Sequence, residues 1–390
     1  MIPYGKQDIS EEDIQSVVDV LKSDFLTQGP MVPAFEKAVT DYCGAKYAFA
    51  VNSATSALHI ACLALEVGPG DIVWTSPITF VASANCALYC GAEVDFVDID
   101  AKSYNMSVSC LEEKLIKAEK SGLLPKVVIP VHLAGQSCEM DKIYILSQKY
   151  GFKIIEDASH AIGGKYKNNP IGGCQYSDIT VFSFHPVKII TTGEGGMCLT
   201  NNSQLANLLN RYRSHGIVRH QSEMTAKSDG PWFYQQIELG FNYRMTDIQA
   251  ALGLSQFKKI DDFVNLRHKI VEKYNESLGK DWITLPSQNK DTISSFHLYI
   301  IRVKVENKLI SRSQLFEKLR NEGIMVNLHY IPIYKHPYYA KFGYNEIDYP
   351  NAELYYKEAI SLPIYSSLIM DDIMKVVNTI NTPTGFQTLF

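Results

Sequence analysis

The chain has 390 residues, 46% of them hydrophobic, and a formal net charge of −5. That length exceeds one ordinary core, so two domains, or one large α/β unit with an appendage, are expected. The absence of a basic block argues against a nucleic-acid binder. Eight scattered cysteines (Cys43, Cys62, Cys86, Cys90, Cys110, Cys138, Cys174, Cys198) form no CxxC pair, which points to free thiols in a reducing cytosol and not to a metal site. No apolar run approaches the ~20 residues that cross a bilayer. The opening MIPYGKQDISEEDI lacks the charged and apolar regions of a secretion signal. A cytoplasmic protein without membrane contact is expected.

In chain order, Ser10 followed by Glu11, Glu12 and Asp13 predicts a helix N-terminus. Ile14, Val17, Val18 and Leu21 supply its apolar face. A second helix is predicted over Pro33–Tyr42, with proline in its first turn. Strands and helices then alternate. The predicted strands are Tyr47–Val51, Ile72–Trp74, Glu93–Val97, Lys126–Val131, Phe152–Ile155, Ile179–Ser183 and Met197–Thr200. Helices are predicted over Ala57–Leu65, Val81–Cys90 and Asp141–Tyr150. Seven strands with short loops and intervening helices predict a mostly parallel sheet covered on its faces. Past about Arg244 the pattern changes. Helices over Thr246–Phe257, Asp261–Leu278 and Ser313–Asn321, a strand over Leu298–Val303 and a tyrosine-rich stretch to Tyr356 predict a smaller α+β domain over 246–390, after a large domain over 1–245.

The chemistry-bearing residues stand at strand ends, where parallel α/β sheets bind ligands. Lys188 follows the strand ending at Ser183 and lies among apolar residues, in FSFHPVKIITTGEGG. A lysine there tends to lose its proton, and a neutral amine can form a Schiff base with a carbonyl. A surface lysine in a loop is the other reading. Asp157 ends the strand in IIEDASH; buried there, it needs a cationic partner such as a protonated pyridine nitrogen, or it is a core aspartate bonded to loop amides. The small residues of Ser53-Ala54-Thr55-Ser56 lead into a helix and could cradle an anion, or they form an ordinary cap. The Ser183 hydroxyl could hold a phosphate. Together, an anion cradle, a strand-end aspartate and a Schiff-base lysine match the needs of pyridoxal phosphate.

These residues lie in NSATSALH (52–59), SPITFVASAN (76–85), PVHLAGQ (130–136), EDASHAIGG (156–164), FSFHPVKIITTGEGG (182–196), RSHG (213–216) and GFNYRM (240–245). In these motifs and in their order the chain resembles, along essentially its whole length, the DegT/DnrJ/StrS sugar-nucleotide aminotransferases, which have fold type I of the pyridoxal phosphate enzymes. The resemblance implies that Lys188 carries the Schiff base and shuttles the proton, and that Asp157 pairs with the pyridine nitrogen. Phe80 would stack on the ring. Ala54, Thr55 and Ser183 would bind the phosphate, with Asn242 supplied by the neighbouring subunit of a homodimer. His160 stands where many relatives carry glutamine and would contact the ring or its phenolic oxygen, unless it is a core histidine. His329 and Tyr330 would line the sugar-nucleotide site; His185 would be structural.

Within the family, NSATSALH, SFHPVK and RSHG most resemble the transaminases of pseudaminic acid synthesis. This implies C4 amination of a UDP-linked 4-keto-6-deoxy-N-acetyl sugar with glutamate as donor. The alternatives are an aminotransferase for another nucleotide-linked keto sugar, a sugar dehydratase and a non-catalytic sensor on the same fold. Lys188 counts against the dehydratase, whose lysine is replaced by histidine; Lys188 and Asp157 together count against the sensor.

Overall fold

The computed structural model describes residues 1–304, 306 and 309–382, so positions 383–390 of the C-terminal assignment lie outside the described residues. Short strand β1 (Ile2–Pro3) precedes α1 (Glu11–Leu21) and α2 (Met31–Cys43). Then follow β2 (Tyr47–Val51), α3 (Ala54–Ala64), β3 (Ile72–Thr75), α4 (Ala82–Tyr89), β4 (Glu93–Phe96), α5 (Val108–Ser121), β5 (Val127–Ile129), α6 (Met140–Tyr150) and β6 (Lys153–Asp157). A small hairpin, β7 (Lys165–Tyr166) and β8 (Asn169–Pro170), leads to β9 (Ile179–Ser183), β10 (Gly196–Thr200) and α7 (Ser203–Tyr212). After the short strands Ile217–Val218 and Gln235–Gln236 come α8 (Asp247–Phe257) and α9 (Ile260–Ser277).

All seven predicted strands join one sheet, in the order β2-β10-β9-β6-β5-β3-β4. Strand β10 runs antiparallel to both neighbours; the other pairings are parallel. The buried strands read as continuous apolar runs because helices cover both faces. Two predicted helix starts move by two or three residues. Helix α3 begins at Ala54, three residues early, because Ser53 is its N-cap and accepts the Ser56 N–H. Helix α2 begins at Met31, so Pro33 sits inside its first turn. Helices α5 and α7 had not been predicted, although Ser107 and Asn202 cap their N-termini.

Past α9 a three-stranded antiparallel sheet (Ile283–Thr284, Tyr299–Val303, Ala359–Leu362) is covered by the helices Arg312–Asn321 and Met370–Asn381. Residues 326–330 lie outside any strand; Ile324–Met325 instead pairs in parallel with β1, so the N-terminus joins this second body. Helix α8 packs on α1 and α2. Two of the hydrophobic clusters meet along α9: Phe263 and Val264 belong to the cluster around Phe35 and Phe182, while Ile270, Val271 and Tyr274 belong to the cluster around Tyr299. Among the described residues no helix is long and apolar enough to cross a membrane.

A cavity of about 1070 Å³ runs along the free edge of β4, lined in part by Trp74, Lys114, Tyr344 and Tyr349. It touches none of the residues singled out in the sequence. The Tyr344 hydroxyl donates to the Val94 carbonyl (2.5 Å) and the Lys114 amine to that of Phe96 (2.6 Å), so side chains cap the edge against further strand pairing.

Candidate active site

The carboxyl ends of β2, β9 and β6 and the start of antiparallel β10 lie at one edge of the sheet. Gly196 pairs with Ser183 on one side and Val51 on the other, and Asp157 pairs with Val181. The strand order therefore gathers Asn52–Thr55, Asp157, Ser183 and the loop bearing Lys188, although they span more than a hundred residues of sequence. Gly196 is required here: a β-carbon would stand 2.5 Å from the Ala54 nitrogen. Only glycine lets β10 run this close beneath the N-terminus of α3.

That terminus is open. Ser53 caps the Ser56 N–H, whereas the N–H groups of Ala54 and Thr55 have no hydrogen-bond partner among the described residues. The hydroxyls of Thr55 and Ser183 likewise have none there. Two amides, two hydroxyls and the positive end of an eleven-residue helix form a ready anion cradle.

The Lys188 loop is held by its backbone. Phe184 donates to the Gly195 carbonyl (2.9 Å) and accepts from the Thr192 N–H (3.0 Å) and the Thr191 hydroxyl (3.0 Å). The amine of Lys188 has no hydrogen-bond partner among the described residues. Desolvation pulls its pKa from 10.5 down to about 8, and the charge of Asp157 limits the fall. A stability effect follows. Between pH 8 and 10.5 the unfolded chain holds this proton and the folded chain does not, so folding stability rises with pH across that window and is flat in this term below it. Buried cysteines such as Cys43 and Cys198, whose pKa values burial raises, add a fall above pH 9 that is common to parent and variant. Urea titrations of the cofactor-free protein and of Lys188→Met at pH 7.5, 9 and 10 are therefore expected to show the rise as the difference between the two; an identical pH dependence in both would refute the shift.

Asp157 is buried and accepts from the hydroxyls of Ser83 (2.6 Å, Oδ2) and Ser159 (2.6 Å, Oδ1) and from the Ser159 N–H (3.2 Å). Because Ser83 gives its proton to Asp157, Thr79 donates to Ser83 (2.9 Å). No side-chain cation pairs with this carboxylate among the described residues. Beneath it, Glu156 accepts from His132 Nε2 (2.8 Å). The Glu156 charge favours an imidazolium, but His132 Nδ1 already accepts the Cys138 N–H (3.2 Å), so the ring carries one proton.

The walls are aromatic. Phe80 is 58% exposed at the start of the turn into α4, a large apolar ring left open, and lies 6.2 Å from Tyr330. His160 stacks near Tyr330 (interplanar angle 24°) and bonds its hydroxyl through Nε2 (3.1 Å). Burial and then Lys188 push the pKa of His160 well below 6.5; the same two causes bring His329 to about 3. Burial, then Asp157, pushes the Tyr330 phenol up. His329 Nδ1 bonds Ser361 (2.8 Å), and His185 is exposed outside the wall. Asn242 is exposed as well. Its stretch runs beside the end of β2, with Val51 opposite Arg244, and its side chain has no hydrogen-bond partner among the described residues.

Ser83, Ser159, His297 and Tyr4 reach this region without having been singled out. Ser159, two residues after Asp157, follows an Asx-turn spacing that the sequence does show. Ser83 depends on the approach of α4 to β6, and nothing local in the sequence signals it. An anion cradle, an open aromatic platform, a desolvated amine and a hydroxyl-bound carboxylate fit a phosphorylated pyridine aldehyde.

Comparison with known proteins agrees. The DegT/DnrJ/EryC1/StrS aminotransferase family matches residues 7–381. The chain is 39% identical to the UDP-4-amino-4,6-dideoxy-N-acetyl-beta-L-altrosamine transaminase of Campylobacter jejuni over 381 residues, covering 97% of this chain and 96% of that one. It is also 39% identical to the spore coat polysaccharide biosynthesis protein SpsC of Bacillus subtilis over 382 residues, with the same coverage. The structure of Helicobacter pylori PseC, an aminotransferase of pseudaminic acid biosynthesis, superposes with a TM-score of 0.88 at 31% identity over 98% of both chains. The chain belongs to the DegT/DnrJ/EryC1/StrS aminotransferase family and is a sugar aminotransferase that uses pyridoxal phosphate.

Proposed function

We propose that this enzyme aminates C4 of a UDP-linked 4-keto-6-deoxy-N-acetylhexose, with glutamate as donor. The observation that carries the reading is the near full-length likeness to the Campylobacter transaminase, joined to a site whose groups suit amino transfer. When bound, pyridoxal phosphate supplies an aldehyde that accepts an amino group and a ring that absorbs electrons. Lys188 would hold that aldehyde through its amine, and the amine, once freed, would carry a proton from the donor's α-carbon to the cofactor; a pKa near 8 leaves it able to take and to give that proton. Asp157 keeps the ring nitrogen protonated, oriented by Ser83 and Ser159. Ala54, Thr55 and Ser183 hold the phosphate. Phe80 covers one ring face, and His329 and Tyr330 line the sugar-nucleotide side. The test is an amination screen of UDP-linked 4-keto sugars, with the product configuration determined by NMR. A 4-amino product is expected; amination at C3 alone would overturn the assignment. The equal identity to SpsC keeps another nucleotide-linked keto sugar as the second reading.

The enzyme acts in the cytoplasm as a homodimer, and the partner chain supplies Asn242 to the phosphate. The exposure of Asn242 and its lack of partners within the described residues support this. Mixing Lys188→Ala chains with Asn242→Ala chains is expected to restore activity, because a mixed dimer rebuilds one intact site. If Asn242 acts within its own chain, the mixture stays as weak as its parts.

A further inference from the structure

We propose that His160 is a positioning residue that acts through Tyr330: its Nε2–H fixes the Tyr330 hydroxyl, so that the tyrosine presents its own proton to the cleft. The bond pattern sets the direction. The Ala134 N–H donates to His160 Nδ1 (3.3 Å), which leaves the single ring proton of the neutral imidazole on Nε2. Nε2 lies 3.1 Å from Tyr330 Oη, so histidine donates and tyrosine accepts. The tyrosine proton is then free to point elsewhere, and Tyr330 feels the charge of Asp157 and lies 6.2 Å from the open Phe80 ring. The one N–H of His160 is spent on the tyrosine, so the histidine's influence on bound cofactor or sugar passes through the phenol.

The surroundings are built to hold this geometry. Ala134 adopts a left-handed conformation (φ 59°), unfavourable for a residue with a side chain, and it delivers the N–H that His160 needs. The adjoining Gly135, at φ 99°, admits no β-carbon: Ser295 Oγ would lie 2.6 Å away and the His160 carbonyl 3.0 Å. Ser295 in turn donates to that carbonyl (2.8 Å), and its N–H donates to the Gly135 carbonyl (3.2 Å). Three segments far apart in sequence thus close around one imidazole. Behind it the His297 ring lies 4.3 Å away, with a buried Nδ1 that has no hydrogen-bond partner among the described residues. The ionisable groups facing His160 are Tyr330, Lys188, His297 and His329. An imidazolium beside that lysine is disfavoured, and the donor direction is stable across neutral pH.

The test uses the holoenzyme and the glutamate half-reaction, followed by loss of the absorbance of lysine-bound cofactor, and so rests on the proposed donor. Single-turnover rates are measured for His160→Leu, His160→Gln, Tyr330→Phe and His160→Leu/Tyr330→Phe. A misplaced phenol is expected to slow His160→Leu by ~10²-fold. Glutamine carries an N–H donor and a carbonyl acceptor and is expected to recover most of that loss. The double variant is expected to match Tyr330→Phe within about twofold, the non-additivity of residues acting as one unit. Multiplying losses, or glutamine as poor as leucine, would overturn the proposal. A second readout needs neither the variants of His160 nor glutamate. ¹⁵N-histidine NMR of the wild type is expected to show a ring protonated on Nε2, with that resonance moving in Tyr330→Phe. A ring protonated on Nδ1, or a resonance indifferent to Tyr330→Phe, would overturn it. If wild-type enzyme shows no half-reaction with glutamate, the donor assignment fails and the NMR result alone decides the role of His160.

Discussion

Replacing Lys188 by alanine is expected to abolish turnover, by about 10⁴-fold or more, while leaving the chain folded. The side chain of Lys188 makes no hydrogen bond among the described residues, and its loop is fixed by the backbone bonds of Phe184. The variant therefore loses a function and no hydrogen bond. Removing a desolvated amine relieves an unfavourable burial, so the cofactor-free variant is expected to melt no lower than the parent. The holoenzyme is expected to lose the visible absorbance of lysine-bound cofactor. Turnover within tenfold of the parent would remove Lys188 from the chemistry, because no neighbouring group can take its place: His160, His297 and His329 are all buried and held neutral.

Asp157→Asn carries the second large effect, a loss of ~10³-fold, as for other preorganised electrostatic groups in closed sites. The substitution keeps size and shape, and the hydroxyls of Ser83 and Ser159 can turn to suit an amide. What disappears is the negative charge that, in the proposed role of Asp157, would keep a proton on a pyridine nitrogen. Affinity for the cofactor is expected to fall by ~10–100-fold, the worth of a charge-assisted hydrogen bond. Ser83→Ala removes one of the two hydroxyls that orient the carboxylate and leaves the charge, so its loss is expected near tenfold. Turnover measured alongside equilibrium dialysis of the cofactor checks the order. Ser83→Ala weaker than Asp157→Asn would mean that the hydroxyl network, and not the charge, carries the site.

The seven strands were legible because parallel strands covered on both faces are written as unbroken apolar runs. The positions of Lys188 and Asp157 followed from them, since each stands at a strand end. Helix α7 was legible in principle, from the Asn202 cap and the spacing of Leu205, Leu208 and Leu209, but was not singled out. The first turn of α3 was placed in a loop because Ala54-Thr55-Ser56 has the small polar character of a turn. Its helical state depends on the Ser53 cap and on Gly196, whose missing β-carbon makes room for the Ala54 nitrogen. Other parts of the site had no local signature. The bond between Ser83 and Asp157 spans 74 positions and that between His160 and Tyr330 spans 170, and each exists only after the sheet and the second body have assembled. The pairing of Ile2–Pro3 with Ile324–Met325 is of the same kind: it brings Tyr4 to 5.2 Å from His329 from the far end of the sequence.

In the proposed site one lysine, brought to the open N-terminus of α3 by strand order, would hold the cofactor. Borohydride reduction of the holoenzyme, followed by proteolysis and mass spectrometry, tests that role. The expected result is a single phosphopyridoxyl group, on the peptide carrying Lys188. A label on any other lysine, or an unlabelled Lys188 in a preparation that turns over, would contradict the account.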